Sequence, residues 1–148
     1  MFDIIWRSVA IGIGATVLMD IWAMFLHLAF AQPRPNWGPP GRWVWHLREG
    51  KVFHDDIGKA APYAHETALG WAFHYFTGVV YGIILVALMG KAWLDAPTFL
   101  PAFILGMITI GAGWAASKRP NPMQIRAFNV ISHTVFAIGL YGTALLIR

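Results

Sequence analysis

The chain has 148 residues, of which 57% are hydrophobic and 12% charged, with eight Trp, no Cys and a formal net charge of +4. A soluble domain is about one quarter charged, so this composition leaves too little polar surface to clothe a soluble core, and the mean hydropathy of +0.55 agrees. The absence of cysteine excludes a disulfide framework, a thiolate metal centre and a thiol nucleophile. The basic residues are scattered rather than gathered into a phosphate-binding stripe, so no nucleic-acid partner is expected.

Four apolar stretches organise the chain: Ile4–Ala31, Leu69–Met89, Phe99–Ala116 and Ala127–Ile147. A helix needs about 20 such residues to cross a hydrocarbon core, and the third stretch is at the short limit. The first stretch carries Ala29-Phe30-Ala31, a cleavage-like triplet. Its length, the lack of a basic leader and Asp20 at its middle predict a retained helix rather than a signal segment. Pro33 and Pro35 end that helix. Pro40–Arg48 is expected to form a short interfacial helix, with proline in its first turn and Gly50 just beyond its end. Trp37, Trp43 and Trp45 suit a membrane–water boundary. Gly90–Pro97 and Ser117–Pro122 read as short turns. The predicted architecture is all-α: a single domain over residues 1–148, with four transmembrane helices in a compact bundle plus the short interfacial helix.

Counting Lys and Arg by loop predicts orientation. Arg34, Arg42, Arg48, Lys51 and Lys59 lie in the first loop and Lys118, Arg119 and Arg126 in the third, against Arg7, Lys91 and Arg148 on the other side. Loops one and three are therefore expected in the cytoplasm, with both termini opposite.

Each stretch carries a stripe of small and polar residues at helical spacing. The first aligns Gly12, Thr16, Asp20, Ala23 and His27 and sets Ile11, Leu18, Trp22 and Phe25 on the other side. The second aligns Glu66, Gly70, His74, Thr77 and Tyr81, and the third Ala102, Gly106, Thr109, Gly113 and Ala116. The fourth aligns Arg126, His133, Ala137 and Ala144, with Asn129 and Tyr141 at its margins. Small residues let helix backbones approach and polar ones bond across the contact. A weak echo, His74 before Tyr81-Gly82 and His133 before Tyr141-Gly142, suggests two related hairpins.

Ionisable groups within spans are costly and usually face a bundle interior. If the stripes face one another, Asp20, His27, His74 and His133 share the cytoplasmic half of one core. Imidazole and carboxylate suit a divalent metal, and His74, His133 and His27 are candidates for holding haem or another tetrapyrrole. The bland alternative is a structural polar core of Asp20, Thr16, Glu66, Thr77 and Asn129 that ties helices together. A third reading makes Asp20, His27, His74 and Glu66 a proton or ion relay. In the first loop, His46, His54, Asp55, Asp56, His65 and Glu66 form a second polar group. It would bind a divalent cation, or its acids would pair with Arg42, Arg48, Lys51 and Lys59. His65-Glu66 is followed by Thr67-Ala68-Leu69, so the H-E-x-x-H pattern is not met.

Several segments together resemble a known group: Met19-Asp20-Ile21-Trp22-Ala23, Gly41-Arg42-Trp43 through His46, His54-Asp55-Asp56-Ile57, Gly70-Trp71 with His74-Tyr75, Ala115-Ala116-Ser117 with Pro120, and His133 with Gly139-Leu140-Tyr141. They are similar to the bacterial membrane family called domain of unknown function 2938. The resemblance implies a small polytopic inner-membrane protein with no established activity. Against the family pattern the third span is shortened, with Ile110 running directly into Gly111-Ala112-Gly113. The leading functional expectation is a non-catalytic accessory or interaction subunit. Its partners would be the lipid bilayer and either subunits of a larger complex or a second copy. A haem-, pigment- or metal-binding redox subunit and a transporter are the alternatives.

Overall fold

The computed structural model describes residues 1–116 and 123–148, and side-chain surroundings for all of these except 111–116 and 123–125. It is all-helical among the described residues: α1 Phe2–Phe30, α2 Gly38–Leu47, α3 Glu66–Asp95, α4 Phe99–Ala116 and α5 Met123–Leu146. The turn expected at Ser117–Pro122 lies outside the described residues.

Local chemistry sets most of the boundaries. α1 stops at Ala31, which takes the left-handed conformation (φ 52°), while the Gln32 N–H reaches back to the Leu26 carbonyl at 3.3 Å. That six-to-one bond satisfies a carbonyl the helix would otherwise orphan. α2 begins two residues before the expected Pro40, because prolines fit a first turn and the Asn36 side chain accepts the Gly38 N–H at 3.0 Å. α3 does not finish at Met89. Gly90 (φ 72°, ψ −178°) breaks it and the chain then resumes helix to Asp95, an extra turn reinforced by Lys91 and Asp95 pairing at 2.6 Å.

Among the described residues, three segments are long and apolar enough to cross a membrane: α1, α3 and Arg126–Leu146 of α5. The exterior matches that reading. Ile5, Ile13, Val17, Ile21, Met24 and Leu28 of α1 are all exposed, an apolar face that hydrocarbon covers and water would not. The protein is a membrane-associated helical protein.

α1 packs extensively on both α3 and α5, α5 also packs on α4, α2 lies along α3, and α3 and α4 touch little. Glycines set the closest approaches. A side chain on Gly82 would strike the Ser8 and Gly12 backbones, one on Gly12 the backbone of Gly78 and Val79, and one on Gly139 the Ala15 backbone. The pairings Ser8–Gly82 and Gly12–Gly78 make α1 and α3 antiparallel. Phe99–Tyr141 and Thr109–His133 do the same for α4 and α5.

The two-sided packing of α1 corrects one expectation. Ile11, set outward by the single stripe, has no accessible surface. α1 meets α3 through Gly12 and Thr16 and α5 through Ala15, so its buried arc is wider than one stripe. The two glycines of the hairpin echo differ in their surroundings: Gly82 is tightly packed, whereas space is open around Gly142.

The apolar core of Ile11, Ala15, Leu85, Leu94, Leu140 and Ala144, with Ile4 and Ile147 against it, gathers at the end that holds both termini. Because lipid is as apolar as these side chains, such packing gains dispersion contacts rather than hydrophobic burial. Arg7 anchors this end. Its side chain is only 6% exposed between Asp3 and Asp95, and it donates to the Leu94 carbonyl at the end of the extra turn of α3.

Candidate functional site

At the opposite end, towards α2 and the first loop, the bundle holds its polar groups. Asp20 on α1 faces α3, where the His74 Nε2–H donates to Oδ1 at 3.0 Å and the Tyr75 hydroxyl donates to Oδ2 at 2.9 Å. Both carboxylate oxygens are thereby engaged. The two partners are consecutive on α3, so one carboxylate spans about 100° of helix surface. Side-chain exposure is 24% for Asp20 and 12% for His74. Trp37, the residue that opens α2, stacks on the His74 ring at 3.9 Å. α2 gets this close because Gly70 and Gly41 carry no side chain: a Cβ on Gly70 would run into Trp37, and one on Gly41 into the Glu66 and Gly70 backbone.

The other expected site residues lie elsewhere. His133 is on α5 against α4. Thr109 spends its hydroxyl proton on the Gly106 carbonyl at 2.7 Å, so the His133 Nδ1–H is the donor in the 2.6 Å contact with the Thr109 oxygen. His27 closes the end of α1, its Nδ1–H donating to the Gln32 carbonyl at 2.8 Å. The four candidate ligands therefore divide among three places. Only Asp20 and His74 meet, and among the described residues no group of three His, Cys, Asp or Glu could hold a metal. The reason is the packing order: His74 answers α1 and His133 answers α4, so the stripes pair in separate interfaces instead of converging on one axis.

The expected polar core divides in the same way. Thr16 is buried and bonds the Gly12 carbonyl of its own helix at 2.9 Å, and Thr77 likewise bonds Phe73 at 2.8 Å. Asn129 is half-buried on α5. Glu66 leaves the bundle and belongs to the loop. Arg42 donates to it from Nε at 2.7 Å and from a terminal nitrogen at 2.8 Å. The same guanidinium donates to the carbonyls of Ile57, Gly58 and Ala60 at 3.0–3.1 Å. Hydrogen bonding to the Glu66 carboxylate raises the Arg42 pKa further above its already high value, against a smaller opposing effect of desolvation. The Arg42–Glu66 fork thus ties α2, the loop and the first turn of α3 into one unit.

Three participants escaped the sequence. Tyr75 sits one residue off the His74 stripe, and a 3.6-residue period gives no reason to recruit it. Trp37 read as an interfacial aromatic, and Arg7 as a loop charge whose one local cue is Asp3 four residues before it. The stripes of α4 were readable: Ala102 and Thr109 are buried, and Gly106 meets Ala137 and the His133 carbonyl.

A family model described as a protein of unknown function (DUF2938) matches residues 9–147. The chain belongs to this family. The match includes Asp20, Trp37, Arg42, Glu66, His74, Tyr75, Thr109 and His133, so the whole clamp and the loop fork lie inside it. No curated protein and no solved structure matches the chain.

Proposed function

We propose that this DUF2938 protein is a non-catalytic, single-domain subunit of the cytoplasmic membrane that works as a four-span scaffold for other membrane components. The observation that carries the reading is how its intramembrane polar groups are used. Asp20–His74–Tyr75 joins α1 to α3, and Thr109–His133 joins α4 to α5. Polar side chains spent in this way act as glue between helices. Four crossings are supported by the antiparallel pairing and by α4, whose 18 residues rise about 27 Å, close to the hydrocarbon thickness. The excess of Lys and Arg in loops one and three supports placing those loops in the cytoplasm and both termini opposite.

The cysteine-free sequence makes the topology directly testable by single-cysteine labelling. Four spans place cysteines at Phe2, Asp95 and Arg148 on one face and at Phe53 on the other. If α4 does not cross, residues 2 and 148 label from opposite sides. The scaffold role is tested by native mass analysis of complexes drawn from host membranes in mild detergent. A stoichiometric partner or a second copy is expected, and a lone monomer overturns the role.

A second reading, proton or ion movement, is favoured by one observation: an ionisable carboxylate–imidazole pair held inside the spans. Flux through proteoliposomes that is unchanged by Asp20→Asn would leave Asp20 a structural residue.

A further inference from the structure

The scaffold reading leaves the first-loop histidines unused. His46, in the last turn of α2, is only 6% exposed. Its Nε2 lies 3.0 Å from the Ala61 carbonyl, and a carbonyl only accepts, so the proton sits on Nε2. Nδ1 is then a lone pair, and it faces the His54 Nε2 at 2.7 Å. The remaining His54 nitrogen, Nδ1, is buried with no hydrogen-bond partner among the described residues. Beside the pair lies a cavity of about 270 Å³ lined by Trp45, His46, Glu49, Lys51 and His54.

The two rings carry a donor set that also serves metal sites. A ligating histidine characteristically donates its second ring N–H to a backbone carbonyl, which fixes the tautomer and aims the lone pair. His46 is already held in that state by Ala61. With metal–nitrogen bonds of about 2.0–2.1 Å and a tetrahedral angle, two imidazole nitrogens stand roughly 3.3–3.4 Å apart. The present separation of 2.7 Å reaches this by a small tilt of His54, the more exposed of the two rings. Glu49 is the one carboxylate in the cavity lining. Its contacts are with Arg48 at 3.7 Å and Lys51 at 3.6 Å, both exposed, and surface pairs of this kind are easily exchanged. Glu49 must turn inward to coordinate, since no three such groups stand in reach of one another as placed.

We propose that the first loop binds one zinc-class divalent cation between His46 Nδ1 and His54 Nε2, with Glu49 and water completing the tetrahedron. Imidazole and carboxylate are the donor set that suits zinc. Because the cation joins the end of α2 to the loop before α3, it orders the loop without touching the Asp20–His74 clamp. The proposal stands independently of the scaffold reading.

The test uses the full chain in detergent with any affinity tag removed, titrated with Zn²⁺ by calorimetry and with Co²⁺ by visible absorption. One equivalent of Zn²⁺ and the intense bands of tetrahedral Co²⁺ are expected. His54→Gln should weaken binding at least about tenfold and Glu49→Gln by about tenfold, while Asp55→Asn with Asp56→Asn should leave it unchanged. His46→Gln disturbs a buried residue, so His54→Gln, checked for fold by circular dichroism, decides the case. Absence of Zn²⁺ binding by the wild type overturns the proposal. So does wild-type affinity in folded His54→Gln, or binding lost with the Asp55/Asp56 change and kept in His54→Gln.

Discussion

Replacing Gly12 by alanine tests the α1–α3 interface at its closest point. A Cβ built there meets the Gly78 carbonyl oxygen first, and lies 2.6 Å from the Val79 Cα and 2.8 Å from the Gly78 carbonyl carbon. These are backbone atoms and cannot rotate away, so the helices must separate by about 1 Å to restore an ordinary 3.4 Å contact. A radial gap of about 0.5–1 Å already forfeits a quarter to a half of the dispersion well for the atoms that line it. Overpacking typically costs about 1–3 kcal/mol, and a rigid backbone obstacle puts this site at the upper end. Alanine returns about 1 kcal/mol in helix propensity. The net expectation is a loss of about 1–2 kcal/mol, or roughly 5–30-fold in the folding equilibrium. Gly142→Ala is the control, since nothing lies within 4 Å of the added Cβ. There the propensity gain stands alone, and stability should rise by about 0.5–1 kcal/mol. Unfolding in mixed detergent micelles, followed by circular dichroism, measures both. If Gly12→Ala is as stable as the wild type, or moves in the same direction as Gly142→Ala, the backbone contact between α1 and α3 is not what packs these helices.

The polar contacts between helices and the loop give three further expectations. Asp20→Ala strands the His74 and Tyr75 donors and should cost about 1–3 kcal/mol; in a His74→Ala background it should cost less, and strict additivity of the two changes would deny the bond. Thr109→Val removes the acceptor of His133 and should lower stability by about 1 kcal/mol without altering a labelled probe in the first loop. Arg42→Lys keeps the charge but loses the planar fork. It should speed proteolytic cleavage between residues 51 and 61 several-fold while helicity is unchanged, and an unaltered digestion rate would show that the carbonyls of Ile57, Gly58 and Ala60 do not depend on it.

The sequence by itself determined the elements that rest on local chemistry and on solvent. Apolar length marks the helices, because backbone polar groups in hydrocarbon must be satisfied within the segment. Pro33 and Pro35 end α1, and the Gly90 backbone breaks α3. Asp20, too costly to leave in lipid, could be expected to find a partner on another helix, and it does. What only the tertiary structure decided is which helix answers which. A stripe states that a face is buried but not against what, and α1 is covered on two sides, so Ile11 is buried against expectation. The histidines could not be apportioned from spacing, since every stripe looks equally able to face every other. Packing sent His74 to α1, His133 to α4 and His27 to its own helix end. The contacts furthest from legibility are those between a loop and a helix, Trp37 on His74, Arg42 on Glu66 and His46 on His54. No periodicity runs through a loop, and only the folded path of residues 48–65 brings those partners together.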